Sequence, residues 1–302
     1  MRTIEAFEKE IALQLGFLQK FVPQKRLSEE KQRKAIFCGT GDSFASSQLA
    51  EVFSNFRAQS HDPLDLVKNK QVFARHDIYL ISISGNTTSN IELARLHKRT
   101  VAITANKNSR LAKACEDIIL LEFPSTGIQT AGSISFLASA LACISLVSEY
   151  QVRNVSRIYR NAVRAAKSIS LGGKTYILGN MHTMPIAMFC AAKLYEVLGT
   201  DAHYERIEQF SHMGLFSAKR GDTVILFEPK NVHNENLVSN IKGCGLVPKR
   251  MDPKTKNIQE QILFFIFVSE LIALYAAKKK KKRDCFFIEE NELRNASSSM
   301  IY

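Results

Sequence analysis

The sequence IYLISISGNT, residues 78–87, joins an apolar run to a turn with one glycine and three serine or threonine hydroxyls. The run at 78–83 predicts a buried β-strand, and a helical pattern follows the turn to about residue 98. Further strands are predicted at 35–38, 100–104 and 117–121, with helices at 43–56 and 130–150. Strands that alternate with helices of this length indicate βαβ units and a parallel sheet.

The same alternation restarts in the second half of the chain. Strands are predicted at 175–178, 223–227 and 246–251, and helices at 185–198, 231–241 and 258–277. IFCGT and YILGN fall 140 positions apart, and DIYLISISGN and DTVILFEPKN occupy matching places, which suggests an internal duplication. We expect an N-terminal helix and linker at 1–34, domains at 35–168 and 169–283, and a C-terminal tail at 284–302 that lies over the active site.

Composition indicates an ordinary globular protein with a preference for anions. The chain has 302 residues, of which 45% are hydrophobic and 23% charged, so disorder and collagen are excluded for the chain as a whole. The net charge of +12 favours anionic partners such as phosphorylated metabolites. Six consecutive basic residues at 278–283 could mark a nucleic-acid patch. They are more typical of a solvated helix end, and we expect no nucleic-acid partner.

Cysteines and apolar stretches predict a cytoplasmic location. None of the six cysteines forms a CxxC pair, so a reduced compartment is expected. The N-terminal residues are acidic where a signal peptide would be apolar. The apolar stretches at 134–147 and 262–277 are short or interrupted by polar residues, which favours buried core helices over membrane spans, and no membrane partner is predicted.

Small hydroxyl residues and glycines follow two neighbouring predicted strands. In open α/β sheets, ligands bind outside the carboxyl ends of the strands, and a helix start adds free N–H groups for an anion. Each residue alone is more typical of a helix N-cap, but the cluster favours a ligand. The sequence lacks both GxxxxGK[ST] and GxGxxG, so neither a nucleotide P-loop nor a dinucleotide is expected. The candidate substrate-binding residues are Thr40, Gly41, Ser82, Ser84, Gly85 and Thr87.

The two loop sequences, CGTGDS at 38–43 and SISGNT at 82–87, resemble the sugar isomerase (SIS) domain family. Within it, the chain is most similar to the isomerase half of glucosamine-6-phosphate synthase (glutamine–fructose-6-phosphate transaminase). The resemblance implies two SIS-type three-layer α/β/α halves with central parallel sheets of flavodoxin-like topology. It also implies that Ser-x-Ser-Gly-x-Thr is the phosphosugar loop, and that Thr40, Ser82, Ser84 and Thr87 bind the sugar or its phosphate.

A second candidate site lies on the predicted helix at 185–198. Lys193 and Glu196 are three residues apart and share one helix face, and His212 follows 16 residues after Glu196. Taken alone, such a pair is most often a surface salt bridge, and a lone histidine is most often structural. No HExxH or other convincing metal-ligand spacing is present, and we expect no cofactor.

The SIS resemblance implies catalytic roles for these three residues. Glu196 would be the base that moves a proton between C1 and C2 of an open-chain sugar, and Lys193 its electrostatic partner. His212 would assist ring opening and would reach the site from the neighbouring subunit, which implies a homodimer.

Two departures from the synthase narrow the expected reaction. The chain starts Met1-Arg2 without the cysteine of a glutaminase domain, so glutamine-dependent synthesis is not expected. The tail has serines at 297–299 where the family has a Schiff-base lysine. Phosphosugar isomerisation and glucosamine 6-phosphate deamination both stay open, and a non-catalytic sugar-phosphate-binding regulator is the alternative.

Overall fold

A computed structural model describes the whole chain, Met1–Tyr302, with nine strands and fourteen α-helices. The strands are β1 (Ala35–Cys38), β2 (Gln59–His61), β3 (Asp77–Ile81), β4 (Thr100–Thr104), β5 (Asp117–Leu120), β6 (Thr175–Gly179), β7 (Ala202–Arg206), β8 (Thr223–Leu226) and β9 (Val247–Arg250). The helices are α1 (Thr3–Lys20), α2 (Glu29–Arg33), α3 (Asp42–Phe53), α4 (Pro63–Lys68), α5 (Thr88–Leu96), α6 (Arg110–Ala114), α7 (Ile134–Val147), α8 (Val155–Lys167), α9 (Met184–Leu198), α10 (Ile207–His212), α11 (Val232–Gly243), α12 (Ile258–Lys279), α13 (Phe286–Glu289) and α14 (Asn291–Ile301).

The chain divides into two compact units, each built around one sheet, and neither unit is continuous in sequence. The five-stranded unit comprises Gly16–Ser125, Gly132–Tyr150 and Glu290–Tyr302. The four-stranded unit comprises Met1–Leu15, Thr126–Ala131 and Gln151–Glu289. Each unit therefore draws on more than one stretch of the chain.

The five-stranded unit has the strand order β2-β1-β3-β4-β5, and all its strands are parallel. This is the flavodoxin-like strand order. From β1 the chain first adds β2 on one side and then β3, β4 and β5 on the other, so the switch point of the sheet lies between β1 and β3. Apolar side chains of β1 and β3 are almost fully buried, which is expected for central strands covered on both faces.

The four-stranded unit repeats this arrangement without a fifth strand. Its order is β7-β6-β8-β9, again all parallel, so that β6 and β8 correspond to β1 and β3. The two pairs of similar sequence segments therefore form the two central strands of each sheet. The architecture confirms the predicted α/β class with two parallel-sheet halves.

Two edge strands and seven helices are additional to the predicted elements; the helices are α2, α4, α6, α8, α10, α13 and α14. The edge strands β2 and β7 are short and partly exposed, and they lack the apolar run that marks a buried strand. Helix α8 buries only three side chains, and its exposed residues are all polar. The predicted helix at 130–150 is shorter, since only 134–147 is helical.

Helix α12 is the central helix of the four-stranded unit. It is long and apolar enough to cross a membrane by length and composition, yet 89% of its most apolar window is buried inside the protein. Its one fully buried acid, Glu270, accepts a hydrogen bond of 2.7 Å from Gln14 of α1. This burial matches the core helix that the sequence predicts.

All six cysteines are free thiols. Cys38, Cys143, Cys190 and Cys285 are buried, whereas Cys244 is exposed. Burial raises the pKa of the Cys190 thiol to about 12 and raises the pKa values of Cys38 and Cys143 even more strongly. The thiols of Cys38, Cys143 and Cys190 are therefore protonated and unreactive at neutral pH.

Candidate functional site

The first group of candidate residues lies at the switch point of the five-stranded sheet. Parallel pairing places Cys38 of β1 beside Leu80 of β3. Thr40 and Ser82 each follow the paired residue by two positions, so the turns after both strands begin side by side. Ligands of flavodoxin-like folds bind at this point.

The turn after β3 is ordered by its own hydroxyl groups. The Ser82 and Thr87 hydroxyl oxygens are 3.0 Å apart, and the Gly85 N–H donates to Ser82 Oγ at 3.1 Å. The Asn86 N–H donates to Ser84 Oγ at 3.3 Å. Ser82 and Thr87 are buried, whereas Ser84 is exposed. The loop therefore has a buried pair of hydroxyls in contact with each other and an outer hydroxyl that is open to solvent.

Gly85 holds a position that no other residue fits. Its φ is +65°, and a Cβ there would overlap the Ser109 hydroxyl, which accepts the Ala112 N–H at the start of α6. Gly41 also has a positive φ, +55°, but no atom lies within 4 Å of where its Cβ would be. One glycine is therefore required by close packing, and the other leaves open space at the switch point.

Neither helix that starts at this switch point is capped by a side chain. Thr87 is the N-cap residue of α5 and Gly41 that of α3, and neither makes a side-chain capping hydrogen bond. The Thr87 hydroxyl is directed to Ser82 instead. The helix-cap interpretation therefore does not account for these residues, and a helix start without a cap acceptor favours an anion.

The corresponding switch point of the four-stranded sheet is filled by the chain's own carboxylate. Glu228 follows β8 by two residues, and its carboxylate accepts amide hydrogen bonds from Asn231 at 3.0 Å, Asn234 at 2.9 Å and Asn180 at 3.4 Å. Asn231 also caps α11 by accepting the Asn234 N–H. The two halves thus differ at equivalent places: one is open and uncapped, and the other is occupied and capped.

Lys193 and Glu196 form a close pair on α9. The Lys193 ammonium is fully buried, lies 2.6 Å from Glu196 Oε2 and sits 4.9 Å from the centroid of the Phe189 ring. The Glu196 side chain is 35% exposed. The pair is therefore not a solvated surface salt bridge: a buried cation positions a carboxylate that solvent can reach.

His212 is the last residue of α10. Its side chain is 72% exposed, and its Nε2 lies 3.9 Å from Glu208 Oε1. It makes no hydrogen bond to Lys193 or Glu196. Two large apolar side chains next to it, Met213 and Phe216, are 63% and 86% exposed.

Arg110 is a candidate residue that the sequence did not single out. Its Nη2 donates to the Asn86 carbonyl of the loop at 2.9 Å, so a guanidinium group borders the turn. The last residue of the tail reaches the same place, because the Tyr302 carbonyl accepts from Thr88 Oγ1 at 3.2 Å and from Arg110 Nη2 at 3.4 Å. The sequence feature that could have indicated Arg110 is its position shortly after β4, the strand next to β3.

Comparison with known protein structures identifies the fold of the chain. No protein-family model matches the chain, and no curated protein sequence matches it significantly. Glucosamine-6-phosphate deaminase from Thermotoga maritima superimposes with a TM-score of 0.71 at 16% identity, over 94% of this chain and 96% of that one. The chain has the SIS fold.

Two other solved structures with the SIS fold are similar along nearly their whole length. The C-terminal domain of glucosamine-fructose-6-phosphate aminotransferase from Francisella tularensis gives a TM-score of 0.67 at 15% identity, covering 91% of this chain and 93% of that one. Tagatose-6-phosphate ketose/aldose isomerase from Escherichia coli gives 0.67 at 15% identity, covering 93% and 91%. At these identities the likeness concerns the fold, so the reaction has to be argued from the site residues.

Proposed function

We propose that the protein is a phosphosugar aldose–ketose isomerase or a glucosamine-6-phosphate deaminase. The observation that carries the proposal is the contrast between the two switch points. One presents hydroxyls, open space at Gly41 and uncapped helix starts, whereas the other is closed by Glu228. The open one is suited to an external anion.

In this proposal the loop after β3 and the turn after β1 hold the phosphate. Thr40, Ser84 and Thr87 supply hydroxyls, Gly41 lets the ligand approach the backbone, and Arg110 adds a positive charge at the loop. Ser82 and Gly85 keep the loop in shape. Hydrogen bonds to a charged phosphate are stronger than those to neutral groups, so a few such donors suffice.

Glu196 is the proposed base for proton transfer between C1 and C2 of a sugar phosphate. Its carboxylate is partly exposed and is fixed by the buried Lys193 ammonium, whose charge would also favour a developing enediolate. Both groups are provided by one helix, α9, which makes their relative position rigid.

His212 is the proposed ring-opening residue, acting from a second subunit of a homodimer. Its imidazole is exposed and has Glu208 as its charged neighbour, and Met213 and Phe216 make an exposed apolar patch beside it. Exposed apolar patches often mark protein interfaces. A neutral imidazole can transfer a proton near pH 7.

The names of the structural neighbours include a deaminase and a ketose/aldose isomerase, and both reactions need proton transfer at C1 and C2. To separate them, purified protein is incubated with glucosamine 6-phosphate, glucose 6-phosphate and fructose 6-phosphate in turn. Ammonia release identifies a deaminase, and aldose–ketose conversion without ammonia identifies an isomerase.

The phosphate loop is tested with the double variant Ser84→Ala/Thr87→Ala. Each lost hydrogen bond to a charged group is worth roughly 1.5–3 kcal/mol, so the dissociation constant measured by calorimetry should rise at least about a hundredfold. Ser28→Ala, an exposed hydroxyl at the start of α2, is the control and should bind normally. Unchanged affinity in the double variant removes this loop from the site.

A non-catalytic sugar-phosphate sensor is the second candidate, favoured by the serines at 297–299 in place of the tail lysine. It predicts loop-dependent binding without product from any of the three sugars.

A further inference from the structure

A cleft of about 660 Å³ lies in the four-stranded unit. None of the candidate site residues described above lines it. The cleft is lined by three lysines, several hydroxyl side chains and the Tyr275 ring. A volume of this size is typical of small-molecule sites. The lining residues that matter to its chemistry are Lys167, Lys279, Lys280, Ser170, Thr200 and Tyr275.

The positive charge of this cleft is not neutralised by the protein. No aspartate or glutamate lines it, and Lys167, Lys279 and Lys280 form no ion pair. Two other lysines of the same basic run do have partners, since Lys278 pairs with Glu8 and Lys282 with Glu289. Lys281 also has no ion pair, but unlike Lys279 and Lys280 it does not line the cleft.

The partial negative charges of two helix C-termini offset only part of this positive charge. Lys167 and Lys279 are the last residues of α8 and α12, and a helix C-terminus is equivalent to roughly −0.5 charge. Two such ends offset about one of the three ammonium charges, which leaves roughly two positive charges facing solvent. The final carbonyls are also satisfied in part by the Ser168 and Lys280 N–H groups.

We propose that this cleft binds a polyphosphate chain, carried by a nucleotide or present as free inorganic polyphosphate. Two or more adjacent phosphates match the residual charge, and the hydroxyls of Ser170 and Thr200 line the same space. Tyr275, whose ring centroid is 6.0 Å from the Lys167 ammonium, offers a planar surface against which a base would pack.

The cleft also reaches the helix that carries Glu196. The Thr200 N–H donates to the Leu194 carbonyl at 3.2 Å and so closes the C-terminal end of α9. A ligand that contacts Thr200 therefore touches the end of α9.

The proposal is tested by calorimetry with ATP and with inorganic tripolyphosphate as separate probes. Wild-type protein should bind at least one of them with a dissociation constant below 1 mM, on the order of −4.1 kcal/mol or better. Lys280→Gln should weaken binding about tenfold or more, because a charged partner is lost. Lys281→Gln is the matched control: it makes the same charge change one residue away, outside the cleft, and should bind normally.

The remaining outcomes identify the source and the location of binding. Equal affinity for both probes assigns the phosphate chain alone, whereas tighter ATP binding that Tyr275→Leu abolishes assigns a nucleotide. Ser84→Ala/Thr87→Ala should leave this binding unchanged, which separates it from the phosphosugar loop. Absence of binding to either probe, or equal losses in Lys280→Gln and Lys281→Gln, overturns the proposal.

Discussion

Lys193 places a positive charge in the interior of the four-stranded unit. Its ammonium is fully buried and is held by Glu196 at 2.6 Å. Removing an ion from water still costs several kcal/mol after relaxation, so a buried ion pair adds little to stability compared with apolar side chains. A role in positioning the Glu196 carboxylate explains why a lysine is suited to this position.

The coupling within this pair can be measured with a double-mutant cycle. Lys193→Met and Glu196→Gln should each lower the free energy of unfolding, and the double variant should lose less than the sum. For residues in direct contact we expect an interaction energy between about 0.5 and 3 kcal/mol, measured by urea unfolding at pH 7. Additive losses would mean that the pair is not coupled.

The two glycines of the switch point should respond differently to substitution. Gly85→Ala and Gly41→Ala both introduce a side chain at a positive φ, which costs roughly 1–2 kcal/mol. Gly85→Ala additionally forces Ser109 to move, and overpacking costs about 1–3 kcal/mol more. Urea unfolding should therefore show the larger loss for Gly85→Ala; equal losses would contradict the tight packing at Ser109.

Individual site residues were only partly predictable from the sequence. The loop hydroxyls could be found because they cluster after an apolar strand, but whether Thr87 caps its helix or bonds Ser82 depends on side-chain geometry. Arg110 lies 23 residues beyond Thr87, and its position after β4 places it at the same sheet edge without indicating the contact with Asn86. The burial of Lys193 could not be predicted either, since i, i+3 spacing fits a surface pair equally well.

At the scale of elements, the start of α11 shows what the starts of α3 and α5 lack. Asn231 caps α11 at 2.9 Å and also donates to Glu228 at 3.0 Å. Asn231→Ala should lower the free energy of unfolding by about 1 kcal/mol or more, since loss of a cap costs roughly 0.5–2 kcal/mol.

Asn231→Ser separates these two contributions, because it keeps a cap oxygen and loses the amide that donates to Glu228. Its unfolding free energy, measured in urea, should lie between those of wild type and Asn231→Ala. A stability of Asn231→Ala equal to wild type would show that this cap contributes nothing.

Central strands, long apolar helices and the edge strands β5 and β9 were predictable, whereas the edge strands β2 and β7 were not. β1, β3, β6 and β8 are mostly apolar because both faces are covered, and β3, β6 and β8 each have one polar residue at the first position. β2 is formed by three polar residues, Gln-Ser-His, which pair with β1 only because the sheet already exists. Its signal therefore lies in tertiary contacts rather than in its own sequence.

For the whole molecule, the duplicated fold carries two unequal halves. Each has a switch point between its two central strands, but only the five-stranded unit leaves that point open. A duplicated α/β unit can thus leave one switch point open and close the other with a single carboxylate and its amide partners. The sequence already showed the difference as Phe-Glu-Pro at 227–229 against Ser-Ile-Ser at 82–84.

The proposed homodimer predicts complementation between inactive subunits. If His212 acts on the partner's site, a dimer of one Glu196→Gln and one His212→Ala subunit has one intact site. Random 1:1 mixing of two-fold dimers should then restore about a quarter of the wild-type activity. Mixing Glu196→Gln with the double variant Glu196→Gln/His212→Ala is the control and should restore none. Full activity of an isolated monomer at high dilution would rule out the shared site.

Solvent deuterium exchange at C2 of an aldose 6-phosphate tests the assignment of Glu196 most directly. Wild-type protein in D₂O should exchange this proton with at least one hexose or hexosamine 6-phosphate, as measured by NMR. Glu196→Gln should bind the sugar and lower the exchange rate by roughly 10²- to 10⁴-fold, the usual contribution of a general base. Glu5→Gln, an exposed carboxylate on α1, is the control and should exchange at the wild-type rate. If Glu196→Gln exchanged the proton at the wild-type rate, the assignment of Glu196 as the base would be contradicted. If the wild-type protein bound the sugar without exchanging the proton, the sensor function would replace the enzyme function.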